Sequence, residues 1–305
     1  MTNIIKALRE ATGSAGGYTV PEEFSSRMLA LVQAQVQTLP DLESVKLNNE
    51  VMYIPKVTGG STAYWVAETG TITKADMAFG RTTLTAKKVA ARMDASTEVL
   101  EDNNVTLANA MVDQMARDMA LKVDDEILNG TGGTFTGLRD TGSYTNSYSA
   151  GSGTSSGVIS VTAVSKAMDQ VLTDNHEAPN VGYFHTRTIG SLRILTDSSA
   201  RPLLNNETWG SPLLKEGVVG TLYGAKIKPT NQLPLNLSYS TAATAATDAI
   251  LGVSKQFGYY GNRRGIKFKR DYDIDTDVEQ YQATMRAAFS VKYANAYSVI
   301  RAITD

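Results

Sequence analysis

The chain has no cysteine and only two histidines, His176 and His185, among its 305 residues. The first absence excludes disulfides, thiol catalysis and cysteine-built zinc sites, and fits either a reducing compartment or a particle that must survive outside one. The second leaves little imidazole for acid–base work, and neither histidine belongs to a metal-ligand spacing. An excess of one charge is also missing: 29 Lys and Arg stand against 31 Asp and Glu, a formal net charge of −2. Without a whole-chain basic field, sequence-specific nucleic-acid binding and binding to anionic membranes are disfavoured as primary roles. No run approaches the ~18 apolar residues of a membrane span, and the N-terminus lacks the apolar stretch of a signal peptide, so a soluble protein is expected.

Catalytic motifs fail one by one. Gly153 to Gly157 has the G-x-S-x-G spacing of a hydrolase nucleophile, but it lies in a Gly/Ser tract, and a hydrolase using Ser155 needs a nearby histidine and acid. Gly130 to Phe135 breaks the dinucleotide fingerprint at its third glycine, and no Walker lysine pattern occurs. Asp271, Asp273, Asp275 and Asp277 begin like a calcium loop, yet Thr276 occupies the turn-glycine position and Gln282 that of the final bidentate glutamate. The residues thus point away from an enzyme and require no cofactor or metal.

What is present is periodicity. In Thr106 to Gly130, Ala108, Met111, Val112, Met115, Met119, Val123 and Ile127 recur at spacings of three or four, predicting one long helix with a single buried face. Thr106 or Asn104 is its expected cap, and Gly130 stands where a left-handed terminal residue is expected. Its length, roughly 35 Å at 1.5 Å per residue, makes it a spine. Before it, Met1 to Gly17 reads as a loose arm, and Pro21 to about Val36 as a helix that starts on proline and acids. Val51 to Val57 reads as a strand that Pro55 confines to an edge or a strand end.

Two further strands, Ala63 to Val66 and Leu84 to Met93, flank about 15 polar, glycine-punctuated residues, several-fold longer than a hairpin turn. A hairpin of that length needs another surface to lie on, and Tyr64, Trp65, Met77 and Phe79 are residue types that anchor contacts between chains. Gly130 to Gly157 is too poor in apolar residues for a core and reads as a connector or a flexible flap. Val158 to Leu251 alternates helix with strand, implying a compact α/β lobe separate from the spine. Ile266 to Ile274 and Met285 to Tyr293 alternate apolar with polar residues and predict two half-buried strands packed back on the spine. Arg263, Arg264, Lys267, Lys269 and Arg270 form the one basic cluster, facing a neighbouring subunit or a nucleic-acid backbone. The fold class is α+β.

The order of these parts, GGYTVPEEF (Gly16 to Phe24), a helix, the long hairpin Ala63 to Asn103, a spine ending DDEILNGTG (Asp124 to Gly132), an α/β lobe and a strand return, resembles the major capsid proteins of tailed bacteriophages with the Hong Kong 97 fold. The resemblance implies an N-terminal arm and helix (1–50), an extended β-hairpin loop (59–95), a peripheral domain (51–55, 96–157 and 265–293) holding the spine 106–130, and an axial domain (158–264 and 294–305). It implies hexamers and pentamers of an icosahedral head enclosing double-stranded DNA, bound without sequence preference, and a loop lying across the adjacent subunit. Tyr64, Trp65, Lys74, Met77 and Phe79 are then the loop's contact residues. Localisation is the virion, assembled in the host cytoplasm, with a portal protein and no membrane. Only about 15 residues precede the matching stretch, so either a separate scaffold guides assembly or the chain is the mature form. Some relatives weld neighbours by a lysine–asparagine bond. Lys74 is such a lysine by position, but the matching region Thr276 to Thr284 has no asparagine, which predicts a noncovalent shell. An encapsulin-like compartment packaging protein cargo shares the fold and is the alternative.

Overall fold

The protein is described by a computed structural model covering residues 37–60, 63–74, 76–151, 157–196, 202–204, 218–239 and 246–304, with the side chains of 99–109 left out. The expected arm, the helix after Pro21 and Ser155 lie outside the described residues.

The long apolar stripe forms α1 (Thr97–Asn129), 33 residues. That is about 50 Å of helix, longer than the stripe implies. Its N-cap position is Ser96, so Asn104 and Thr106 fall inside the helix rather than at its start. Gly130 is not left-handed either, having φ −53° and ψ 133°. Glycine is required there for space: a Cβ on Gly130 would come within 2.5 Å of the Glu126 and Phe135 carbonyl oxygens. The chain folds back so closely that the N–H groups of Leu138 and Arg139 donate to the Ile127 and Leu128 carbonyls at 2.9 Å, satisfying the helix end from outside. Phe135 and Leu138 are thereby buried, and the Gly-rich connector contributes core where composition predicted none.

Met115, Met119 and Val123 on α1 pack against a four-stranded sheet in the order β1 (Glu43–Lys46), β11 (Gly258–Asp273), β12 (Val278–Val291), β4 (Lys87–Ser96). The expected return strands are β11 and β12, an antiparallel pair whose alternation places Tyr281, Ala283, Met285, Ala287 and Phe289 toward the spine. Ile274, expected on the buried face, is exposed, because β11 ends at Asp273 and a turn begins.

The second sheet has seven strands, with β5 (Asn146–Ser149), β13 (Tyr297–Thr304), β10 (Thr247–Gly252), β7 (Val181–His185), β9 (Ala225–Thr230) and β8 (Gly220–Leu222) in that order, and β6 (Gly157–Val158) also on β13. Its central strands β7 and β10 are buried at every position because both faces are covered. Tyr183, Ile250 and Val299 join the spine's core, whereas Phe184, Leu251 and Ile300 meet α2 (Val161–Asn175) and α3 (Thr186–Ile194). One face of the lobe's sheet therefore joins the spine's core, while its other face has a core of its own with α2 and α3.

Both histidines serve these helices. His185, not Thr186, caps α3, its Nδ1 accepting from the Arg187 N–H at 3.0 Å, and His176 ends α2 in the left-handed conformation.

Candidate assembly interface

The third sheet is a two-stranded ribbon, β2 (Val51–Gly59) with β3 (Ala78–Thr85). Its pairing differs from the sequence expectation. Ala63 to Val66 forms no strand, and the expected Leu84–Met93 strand is divided at Ala86, its first part belonging to the ribbon and its second to the four-stranded sheet. Leu84 fixes the root, fully buried against Leu47 and Ala288, with Met52 and Ile54 packed beside it. The inner face stays near the body: Lys56 and Thr58 border a cleft of about 480 Å³ with Thr145, Asp174 and Tyr293.

The outer face has no such cover. Register sets Val57 opposite Phe79, Pro55 opposite Arg81 and Tyr53 opposite Thr83, forming a stripe that runs along the ribbon. Tyr53, Val57 and Phe79 are 56%, 54% and 69% exposed, and the Arg81 guanidinium lies 4.6 Å from the Tyr53 ring centroid. An apolar row on a two-stranded ribbon is costly to leave in water and marks a contact surface.

Beyond the strands, Tyr64 accepts a hydrogen bond from the Thr73 N–H, closing the loop on itself, while Trp65 is wholly exposed. Lys74 pairs with Asp76 at 2.9 Å, both in solvent, and Met77 is exposed beside them. All five expected contact residues thus sit on one protruding element. Sequence reasoning missed Tyr53 and Val57. The signal was partial: VMYIPKV is apolar on both alternating faces, and only the fold shows which one the body covers.

The basic cluster does not act as one group. Arg270 turns toward the spine side, pairing with Glu279 and lying over the Tyr281 ring. Arg264 and Lys267 lie on the opposite, outer face, aligned with Arg286 and Thr284 of β12, and Arg264 donates to Thr284 Oγ1 at 3.0 Å.

A buried polar junction ties the start of the described chain to the spine and lobe. Lys228 donates to Asp41 at 2.6 Å, and the Tyr183 hydroxyl donates to the same carboxylate. Asp124 of the spine accepts from Thr38 Oγ1 at 2.5 Å and from the Gln37 N–H at 3.1 Å. Burial raises the Asp124 carboxyl above its ordinary value, against the pull of these donors and of Lys228. Among the described residues no His, Asp and Glu group stands together to hold a metal ion.

Comparison with known proteins points the same way. The sequence matches the profile of the Phage capsid family over residues 16–301. No curated protein matches significantly. Among solved structures, a chain described as the capsid of a native GTA particle superposes with TM-score 0.66 at 16% identity, covering 97% of this chain and 99% of that one. The capsid of an empty GTA particle gives 0.65 at 16% identity, with 97% and 100% covered. A chain from Mycobacterium phage Adephagia gives 0.63 at 17% identity, with 88% and 90% covered. Matched by one profile across nearly its whole length, and folded as capsid chains are, this chain belongs to the phage capsid family and is a capsid shell protein.

Proposed function

We propose that the chain self-assembles into hexamers and pentamers of an icosahedral head enclosing double-stranded DNA, held without sequence preference. Its role is mechanical rather than enzymatic. Many identical contacts, each weak, act together, and closed symmetry limits growth. The observation that carries this reading is the ribbon's outer stripe of Tyr53, Val57 and Phe79, bare in the single chain, with Trp65 of the following loop wholly exposed as well.

In this proposal the ribbon and its tip lie on the adjacent subunit. Residues 59–95 form the extended loop; 51–55, 96–157 and 265–293 form the peripheral domain; 158–264 and 294–305 form the axial domain. A scaffold and a portal protein are the expected partners, and assembly takes place in the host cytoplasm.

The test is assembly of the full chain. The wild type should sediment as closed particles, visible by negative-stain electron microscopy and retaining nucleic acid. Trp65→Ala should lower particle yield while the helical circular dichroism of the subunit stays unchanged. A wild type that remains monomeric at high concentration refutes the shell reading, and an undiminished yield from Trp65→Ala refutes the loop assignment. Particles that yield protein cargo but no nucleic acid refute the DNA head.

A further inference from the structure

The chain is nearly neutral, yet the four-stranded sheet separates its charges. On the face turned away from α1, register lines up Lys88, Arg286 and Arg264 in one row across three strands. The next row holds Ala90, Thr284 and Lys267. Neighbouring strands are ~4.8 Å apart, so three cations share a width of about 10 Å, close to one screening length at physiological salt. Like charges directly opposite one another destabilise a sheet. The one carboxylate paired with this row among the described residues is Glu50, 3.4 Å from Arg286 and largely exposed. The Nε atoms of Arg264 and Arg286 are buried without an acceptor among those residues. The row is short of anions.

The other end of the same sheet is its complement. Asp94, Gln280 and Asp271 form one row, and beyond it the β11–β12 turn carries Asp273, Asp275 and Asp277 around Ile274, which is 82% exposed. The turn is held in shape by three contacts: Tyr272 donates to Asp277 at 2.7 Å, the Asp275 N–H donates to Asp273 Oδ1 at 3.1 Å, and the Asp277 carbonyl accepts from the first residue of α1, Thr97. It is an apolar knob rimmed with carboxylates, presented on a braced hairpin.

We propose that the acidic tip of one subunit, Asp273 to Asp277, docks on the basic patch of a second copy formed by Lys88, Arg264 and Arg286 with Lys267 of the adjoining row. The contact is heterologous, pairing two different patches of the same chain, so it builds rings or lattices rather than an isolated dimer. A small acidic knob fits better than a continuous polyanion, because the basic patch ends in Glu50 on one side and the Asp94–Asp271 row on the other; a strand of nucleic acid crossing it would meet carboxylates. This inference rests on the shell reading and adds a second contact, distinct from the ribbon.

Charge reversal tests it. In the full chain, Asp273→Lys with Asp275→Lys should raise the minimum concentration for particle formation at least ~10-fold at low salt, as should Lys88→Glu with Lys267→Glu. Combining all four restores opposite charges across the contact and should bring the threshold back to within about threefold of wild type. Subunit melting temperature, measured below the threshold, should be unchanged in every variant. Wild-type particles with undiminished assembly of both reversals overturn the contact and leave the shell reading intact. Failure of the four-fold variant to recover, with its melting temperature unchanged, also overturns it. So does a Lys88→Glu/Lys267→Glu variant that assembles normally but loses nucleic acid, because the face then binds nucleic acid instead.

Discussion

Replacing Phe79 with Ala isolates the contribution of the ribbon's outer face. An aromatic side chain presents ~200 Å² and Phe79 is 69% exposed, leaving about 140 Å² for a neighbour to cover. At ~25 cal/mol per Å² complete coverage is worth about 3.5 kcal/mol, and incomplete burial with side-chain ordering brings the expected loss to roughly 2–3 kcal/mol. Each subunit contributes one ribbon, so the assembly threshold should shift by the full per-subunit penalty. With ~1.4 kcal/mol per factor of ten, Phe79→Ala should raise it about 30- to 150-fold. Subunit stability should not change, since the ring touches so little of its own chain. The assay is light scattering over a dilution series, with thermal melting of the dissociated subunit alongside. An unchanged threshold would refute coverage of the stripe, and a lowered melting temperature would show that the ring already packs within its own subunit.

Other consequences follow from the buried junction and the loop. Lys228→Met strands Asp41 in the core and should cost about 3–5 kcal/mol, a fall of roughly 5–8 °C in melting temperature for a chain of this length, whereas adding Asp41→Asn should recover more than half; a single variant that melts like wild type would contradict the pair's role. Asp124 and Glu279 should respond to acid with opposite signs. Burial raises Asp124, so its contribution is full below the unfolded carboxylate pKa and is lost as pH rises through the folded value; wild type should gain stability over Asp124→Asn on acidification. Glu279 would also be raised by burial, but Arg270 and Tyr281 hold it below its ordinary value, so its contribution is present above the unfolded pKa and lost as pH falls; wild type should lose ground to Glu279→Gln over the same range. Melting curves from neutral pH to about pH 3 check both, and equal slopes would count against the assignment. Purified particles boiled in SDS should run as a single monomer band, and a ladder would reveal covalent welding through Lys74.

Local pattern made much of the architecture legible. The spine, the β11–β12 pair and the five-residue β7 each bury apolar residues at their own period, and that period depends only on backbone geometry. Exposure of Trp65 and Phe79 was foreseeable from chemistry and loop length. The pairing of the ribbon was not, because Val51–Gly59 and Ala78–Thr85 choose each other through a register that no short stretch of sequence encodes. Tyr53 and Val57 were missed for that reason: an apolar strand does not say which of its faces the body will cover.

Sequence alone therefore determined the spine, the paired return strands and the absence of thiol chemistry. Tertiary structure decided which distant residues meet. Asp41 and Lys228 lie 187 positions apart and pair only because the first sheet and the lobe close on one core. Lys88, Arg264 and Arg286 become one row only when three strands settle into register. Periodicity is a property of neighbouring residues, whereas charge placement across strands is fixed by hydrogen-bond ladders that join remote parts of the chain.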